Sequence, residues 1–321
     1  MEVLHLNDII KSSKNILITS HVNPDGDTLG SMCGMYELIK TNFKKKSDML
    51  IVSKLPDKYT FIPNVKLAKH IEEIDKSREY DLVINVDIAA IDRICDGKIL
   101  FEKAKHTVNI DHHKTNNSYA ELNFVEGDAS STSEVIYAIA KDLNWEINRD
   151  TAVCLYVGIL TDTGSFRFSN TTPRAMEFAA EMLKSGINPQ EMFQHCYETY
   201  TKGMALCQAY CVDKAVFLDD DKIVYTTVYK KDMEKFNTDE EFAEGLTERL
   251  RAITSTCVAF VAKEMKNGGC KISMRSKSID VAEICGIFGG GGHKFAAGCT
   301  MKSNVEESVK KILAEIRKHE L

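Results

Sequence analysis

The segment HVNPDGDT, starting at residue 21, places His21, Asp25 and Asp27 within seven positions among turn-forming residues. Upstream lies NILITS (15–20), an apolar and β-branched run with the character of a buried strand. Two carboxylates that close repel each other, and one must take up a proton unless strong positive charge stands between them. Three further places carry the same chemistry. Asp87 ends the apolar run DLVINVD (81–87), Asp111, His112 and His113 follow HTVNI (106–110), and Asp162 closes the helix-like CLYVGILT. In open α/β sheets ligands bind beyond the carboxyl ends of the strands, so these places are expected to converge on one crevice. Five aspartates and three histidines gathered there require cations. A mixed carboxylate and imidazole set suits borderline divalent ions such as Mn²⁺, and suits Ca²⁺ less. The donors are too many for one ion, whereas two ions ~4 Å apart, sharing one carboxylate, use them all.

The elements that must hold these residues alternate in the first half of the chain. NILITS precedes a helical stretch, DTLGSMCGMYELIKTNF, with Asp27 or Thr28 as its expected cap. DMLIVS (48–53), DLVINVD and HTVNID supply three more strands. STSEVIYAIAKDL follows, with Ser131 and Glu134 at capping-box spacing. Next comes TAVCLYVGILTDTGSF, an apolar helix expected to end near Thr161. This alternation predicts an α/β fold, a mainly parallel sheet with helices on both faces. Beyond a helical connector the texture changes. AVFLDDDKIVYTTVY and CVAFVAKEMKNGGCKISMRS read as hairpins turning at DDDK and NGG, separated by a helix over TDEEFAEGLTERLRAI and closed by an amphipathic helix from VEES onward. The second domain is therefore expected to be a smaller mixed α/β sheet, with the active site in the cleft between the two domains.

The 321 residues suit two domains, and 44% hydrophobic with 27% charged residues is ordinary globular composition. No apolar run approaches the ~20 residues of a membrane span. The N-terminal stretch lacks the features of a signal peptide. Ten dispersed cysteines read as reduced core thiols in a cytoplasmic protein. A net charge of −6 argues against a grip on long duplex nucleic acid, because phosphate neutralisation supplies most of that affinity. The KKK run at 44–46 is simply a solvated helix end. A phosphate substrate of this protein is expected to be small.

The second domain carries four consecutive glycines, 289–292, followed by His293, with Arg275 on a strand just after the NGG turn. Exposed glycine N–H groups admit an anion closely, and arginine's fork matches phosphate geometry. Gly290, Gly291, Gly292, His293 and Arg275 are thus candidate substrate contacts. Arg167 and Asn170 in SFRFSN either line the cleft or anchor a loop.

Taken together, HVNPDGD, VINVD, DHHKTN and GILTDTGSF resemble, in order and spacing, the four motifs of DHH phosphoesterases. GGGGHKFAAG, with MRS upstream, resembles the DHH-associated substrate domain. The resemblance spans nearly the whole chain and implies a catalytic two-metal domain over 1–187, a helical connector over 188–212 and a substrate-binding domain over 213–321. It is similar to the small bacterial oligoribonucleases that also act as phosphatases on 3′-phosphoadenosine 5′-phosphate (pAp). By that resemblance one ion would take His21, Asp25 and Asp87, and the other Asp27, Asp87, His112 and Asp162. Asp87 would bridge them, Asp111 would orient a histidine, and His113 would meet the phosphate. Spacing alone does not decide which of Asp111, His112 and His113 binds metal. The implied cofactor is Mn²⁺, two ions per site, with Mg²⁺ or Co²⁺ as substitutes. The implied partners are short RNA oligonucleotides, pAp, and pApA or cyclic di-AMP, with a homodimer as one assembly. The rival readings are a cyclic di-AMP or pApA phosphodiesterase, a pyrophosphatase with the same motifs, and a non-catalytic sensor of metal and nucleotide.

Overall fold

The computed structural model describes residues 2–75, 77–266 and 268–321. The chain divides into two compact units between Thr199 and Tyr200, inside the segment expected as connector.

In the first unit six strands form one sheet: β1 (Ile16–Thr19), β2 (Asp48–Ile51), β3 (Lys69–His70), β4 (Leu82–Val86), β5 (His106–Asp111) and β6 (Leu122–Val125). Every neighbouring pair is parallel, in the order β3-β2-β1-β4-β5-β6. The helices are α1 (Glu2–Ser12), α2 (Gly26–Phe43), α3 (Lys98–Lys103), α4 (Thr132–Asp142), α5 (Arg149–Asp162), α6 (Pro173–Leu183) and α7 (Pro189–Tyr197). Ile16, Ile18, Ile84 and Ile110 pack with residues of α2, α4 and α5 on one face, while Leu17, Leu50 and Val83 pack with Leu100 and Phe101 on the other. Burial on both faces explains why these strands read as continuous apolar runs.

The packing of α2 on α5 sets the site. Gly26, Gly30 and Gly34 stand four apart on one stripe of α2. A Cβ on Gly30 would overlap the Cys154 carbonyl, and one on Gly34 would stand 2.6 Å from Leu155 Cδ2. From the α5 side, a Cβ on Gly158 would overlap Ser133 Oγ and stand 2.6 Å from Asp27 Oδ1. Only glycine permits this approach.

In the second unit the strands are β7 (Val216–Leu218), β8 (Ile223–Val228), β9 (Val258–Glu264), β10 (Cys270–Ser276), β11 (Gly291–His293) and β12 (Ala296–Met301). They form a sheet in the order β11-β12-β10-β9-β8-β7, with β8 and β9 parallel and the other pairs antiparallel. The helices are α8 (Lys202–Asp213), α9 (Lys230–Phe236), α10 (Leu246–Arg251), α11 (Val281–Ile287) and α12 (Val305–Ile316). Phe260, Ile272 and Met274 pack with residues of α11 and α12, while Val224, Ala259 and Val261 pack with residues of α8 and α10.

The sequence expectation of mixed α/β units holds, with corrections of detail. The single helix expected over 238–253 is a 3-10 turn at Glu240–Ala243 followed by α10, because Gly245 between them takes a left-handed φ of 74°. The DDDK turn forms, with Asp219, Asp220 and Asp221 all left-handed, a region that aspartate tolerates. The NGG turn includes Asn267, which lies outside the described residues. Helices α1, α3, α6, α9 and α11 and strands β3, β6, β11 and β12 were not expected. No disulfide forms. Among the described residues no helix is long and apolar enough to cross a membrane.

Candidate active site

The strand order reverses between β1 and β4, the topological switch point where ligands of doubly wound sheets bind. His21, Asp25 and Asp27 follow β1, Asp87 follows β4, and His112 and His113 follow β5. Asp162 is the last residue of α5, the helix packed on α2. All of these residues meet.

Asp87 is the hub. It is buried, and its backbone is left-handed at φ 62°, which turns the chain sharply at the end of β4. Its Oδ2 lies 3.3 Å from His21 Nε2. Its Oδ1 lies 3.7 Å from His112 Nε2 and 3.6 Å from His113 Nδ1. One carboxylate therefore faces a different histidine cluster with each oxygen. Asp25 caps α2 through a bond from Thr28 N–H at 3.0 Å. The cap was expected at Asp27 or Thr28; Thr28 instead donates to Asp25, and Asp27 caps another helix. It accepts from Thr132 N–H at 2.7 Å and Ser133 N–H at 3.0 Å, the first two residues of α4. A carboxylate at a helix N-terminus is favoured by the orphan N–H groups there and by the helix dipole. Ser131 closes α4 as expected, accepting from Glu134 N–H at 3.1 Å, while the Glu134 carboxylate reaches Ser130 N–H at 2.8 Å.

Asp111 separates from the rest. It is fully buried, accepts from His113 Nδ1 at 2.7 Å and from His112 N–H at 2.8 Å, and takes Asn116 Nδ2 at 2.6 Å on its other oxygen. It thus fixes His113. On the opposite side His21 Nδ1 donates to the Val22 carbonyl at 2.8 Å, since a carbonyl can only accept. That leaves His21 Nε2 facing Asp87.

The electrostatics follow from the crowding. Burial and then the Asp87 charge push the Asp27 carboxyl up to about 6, against the pull of His112 and the Ser133 side chain. Burial, with Asp27, Asp25 and Asp87 nearby, raises Asp162 well above the usual carboxylate range. Burial also opposes ionisation of Asp87, but His21, His112 and His113 outweigh it and hold that carboxyl low. Burial disfavours each imidazolium, yet the carboxylates win and raise His21, His112 and His113. A site that retains protons between its carboxylates and holds imidazoles poised is one whose donors cations can take over.

Among the described residues three sets of donor atoms, each within 4.8 Å of one another, could hold a metal ion: His21–Asp25–Asp87, Asp87–His112–His113 and Asp27–His112–Asp162. Asp87 and His112 each occur in two sets. Such mixed carboxylate and imidazole sets could hold divalent metal.

The second unit holds its own candidates. Arg275 on β10 and His293 on β11 both pair with Ala296 of β12, so they stand in one row, two strand spacings or about 10 Å apart. Arg275 Nε donates to Glu248 Oε1 at 2.8 Å and Nη1 to its neighbour's carbonyl, Met274 O, at 2.8 Å. The glycine run differs from expectation. Gly289 N–H and Gly290 N–H close the C-terminus of α11 on the Gly286 and Cys285 carbonyls, so they do not stand open to an anion. Gly290 and Gly292 let the chain pass close to β12, and a Cβ on Gly291 would meet nothing within 4 Å. Asn170 proves to be a loop anchor, donating to the Ser130 and Asp162 carbonyls at 2.9 and 3.1 Å. Arg167 is exposed and donates to the Gly164 carbonyl at 2.7 Å.

Sequence reasoning took Thr28 only for a helix cap and missed Thr132, Asn116 and Arg93. The two threonines bond the oxygens of Asp87, at 2.6 Å from Thr28 and 3.1 Å from Thr132, and Arg93 Nη2 lies 3.2 Å from His21 Nδ1. Thr28 and Asn116 sit inside the quoted motifs, whereas nothing local marks Thr132 or Arg93.

Known proteins are similar to this chain in sequence and fold. Residues 15–159 match the DHH family, N-terminal domain, and residues 220–319 match the DHHA1 domain. The chain is 30% identical to the bifunctional oligoribonuclease and PAP phosphatase NrnA of Bacillus subtilis, over 94% of this chain and 93% of that protein. It is also 30% identical to the protein of that name from Mycoplasma genitalium, over 95% and 96%. In fold it is similar to the crystal structure of an exopolyphosphatase-related protein from Bacteroides fragilis, with a TM-score of 0.93 at 24% identity over 99% of this chain and 96% of that one. With the motifs, the matched domains and the whole-length relatives in agreement, the chain belongs to the DHH family.

Proposed function

We propose that this protein is a metal-dependent phosphoesterase that hydrolyses short oligoribonucleotides to mononucleotides and removes the 3′-phosphate of pAp. The observation that carries this reading is Asp87, with one oxygen toward His21 and the other toward His112 and His113. The similarity to relatives named oligoribonuclease and PAP phosphatase supplies the substrate class. In this reading His21, Asp25 and Asp87 hold one divalent cation, and Asp27, Asp87, His112 and Asp162 hold the second. When bound, such a pair lowers the pKa of water towards neutrality and offsets the charge of the phosphate; Mn²⁺ is the ion proposed, with Mg²⁺ or Co²⁺ as substitutes.

The chain's own groups do the rest. Asp111, itself held by Asn116, fixes the His113 ring through Nδ1. His113 then keeps Nε2 turned to a phosphate oxygen, with Asp111 and Asp87 favouring its protonated form against burial. Arg275 and His293 hold the remote phosphate or terminal nucleotide, with Glu248 aligning the guanidinium until a phosphate takes its place.

The test is hydrolysis of pAp, of a ladder of short RNAs and of cyclic di-AMP under identical conditions with Mn²⁺. Mononucleotides from the ladder and inorganic phosphate from pAp are expected, lost on exhaustive chelation and restored by Mn²⁺. Full turnover after chelation, with metal removal confirmed by elemental analysis, would refute the metal-dependent reading. Turnover of cyclic di-AMP alone would refute the substrate assignment.

A further inference from the structure

Thr28 is the third residue of α2, and its side chain is fully buried. Its hydroxyl oxygen stands 2.6 Å from Asp87 Oδ2, 2.7 Å from His21 Nε2 and 3.0 Å from Asp25 Oδ1. These acceptors and donors come from the end of β4, the end of β1 and the cap of α2. They belong to the same three residues that form one candidate metal set. A hydroxyl has a single proton to donate. A separation of 2.6 Å is that of a charge-assisted O–H···O⁻ bond, which assigns the proton to Asp87. Thr28 is itself held twice, by its N–H on Asp25 Oδ1 at 3.0 Å and by the stiffness of a β-branched side chain about χ1. On the far oxygen of Asp87 the Thr132 hydroxyl, from the first residue of α4, donates at 3.1 Å. Two threonines on two helix N-termini therefore grip the two oxygens of one carboxylate.

We propose that Thr28 is a positioning residue of the metal centre, its hydroxyl setting the rotation of the Asp87 carboxylate and the spacing of His21 and Asp25. The proposal rests on the assignment of these residues as metal ligands made above. Asp87 has a left-handed backbone and a side chain with two rotatable bonds, so the backbone alone does not set the rotation of its carboxylate. The shorter bond from Thr28, with Thr132 on the other oxygen, sets it. Groups hydrogen bonded behind metal ligands fix ligand orientation, and their loss typically weakens metal binding 10–100-fold.

The test uses the full-length protein and Mn²⁺ itself as the probe. Binding is followed by calorimetry and by loss of the free-ion electron paramagnetic resonance signal, with circular dichroism as the check on folding. Thr28→Val keeps the shape and removes the hydroxyl, and should weaken Mn²⁺ binding 10–100-fold. Thr28→Ser keeps the hydroxyl and should bind within a few-fold of the parent protein. Should Thr28→Val not fold, Thr28→Ala carries the same expectation. Parent-like affinity and stoichiometry in the folded hydroxyl-free variant, with the parent protein binding Mn²⁺ normally, overturns the positioning role alone. Equal weakening in Thr28→Ser overturns it too, because packing rather than the hydroxyl would then matter. A parent protein that binds no divalent ion overturns both this proposal and the reading on which it rests.

Discussion

Gly158→Ala is the substitution that tests how the helices hold the site. In an unobstructed helix interior the exchange stabilises by about 1 kcal/mol, because alanine is the better helix former. Here the new Cβ would overlap Ser133 Oγ and lie 2.6 Å from both Ser133 Cβ and Asp27 Oδ1. Rotating the serine relieves only the first contact, so the start of α4 or the Asp27 side chain must give way. Overpacking of this kind costs about 1–3 kcal/mol, leaving a net loss of roughly 0–2 kcal/mol after the helix gain. For a unit of this size that lowers the melting temperature by several degrees at most, at ~2–4 °C per kcal/mol. The larger effect should fall on the site. Asp27 is bonded to Thr132 and Ser133 N–H at the very place the methyl enters, and displacing it should weaken Mn²⁺ binding at least tenfold, as loss of a ligand's supporting contacts does. The assay is thermal unfolding of metal-free protein together with Mn²⁺ titration. Gly286→Ala serves as the control, since a Cβ there meets nothing within 4 Å. Adding Ser133→Ala to Gly158→Ala should recover part of the lost stability, because the two sites share one contact. A Gly158→Ala protein as stable as the parent and with unchanged Mn²⁺ affinity would refute the reasoning that α5 fixes Asp27.

Asp87→Asn should leave the fold intact, since asparagine tolerates the left-handed turn, while turnover of pAp falls below about a tenth, or ~1.4 kcal/mol of barrier. Greater residual activity in a natively folded variant would show that Asp87 does not bridge. Arg275→Ala and His293→Ala should impair hydrolysis of pAp and dinucleotides strongly, and of bis-p-nitrophenyl phosphate little. Equal losses on both kinds of substrate in steady-state kinetics would remove them from substrate binding. For pH, Asp27 and the three histidines all have raised values in the metal-free fold, so each contributes stability that is present at low pH. The Asp27 part is lost as pH rises from about 4 to about 6, and the histidine part as pH climbs beyond 6.5. Mn²⁺ competes for the same donors, so the rise in melting temperature at a fixed Mn²⁺ concentration should be larger at pH 8 than at pH 6; a constant rise would contradict this.

The convergence of the four acidic clusters was legible because strand ends of a parallel sheet share one edge, and each cluster sits directly after an apolar run. The glycines of GDTLGSMCG carried a further signal, a four-residue repeat of small residues that marks close helix packing. The capping of α4 by Asp27 was not legible, since its partner Thr132 lies 105 residues away and nothing local to either announces the pairing. The glycine run was misread for a physical reason. Exposed glycines suggest open N–H groups, but two of the four close the end of α11, the role glycines commonly take just after a helix.

The reversal of strand order between β1 and β4 has one more consequence. Because the proposed ligands lie at the ends of elements far apart in the chain, bound cations would tie His21 to Asp87 across roughly 65 residues and Asp27 to Asp162 across roughly 135, as cross-links closing long loops do. Opening the sheet edge would require the ions to leave first, so their dissociation would gate unfolding. Resistance of the first unit to proteases would then rise and fall with the supply of free divalent metal. The protein's lifetime, and not merely its turnover, would be set by the ions it carries.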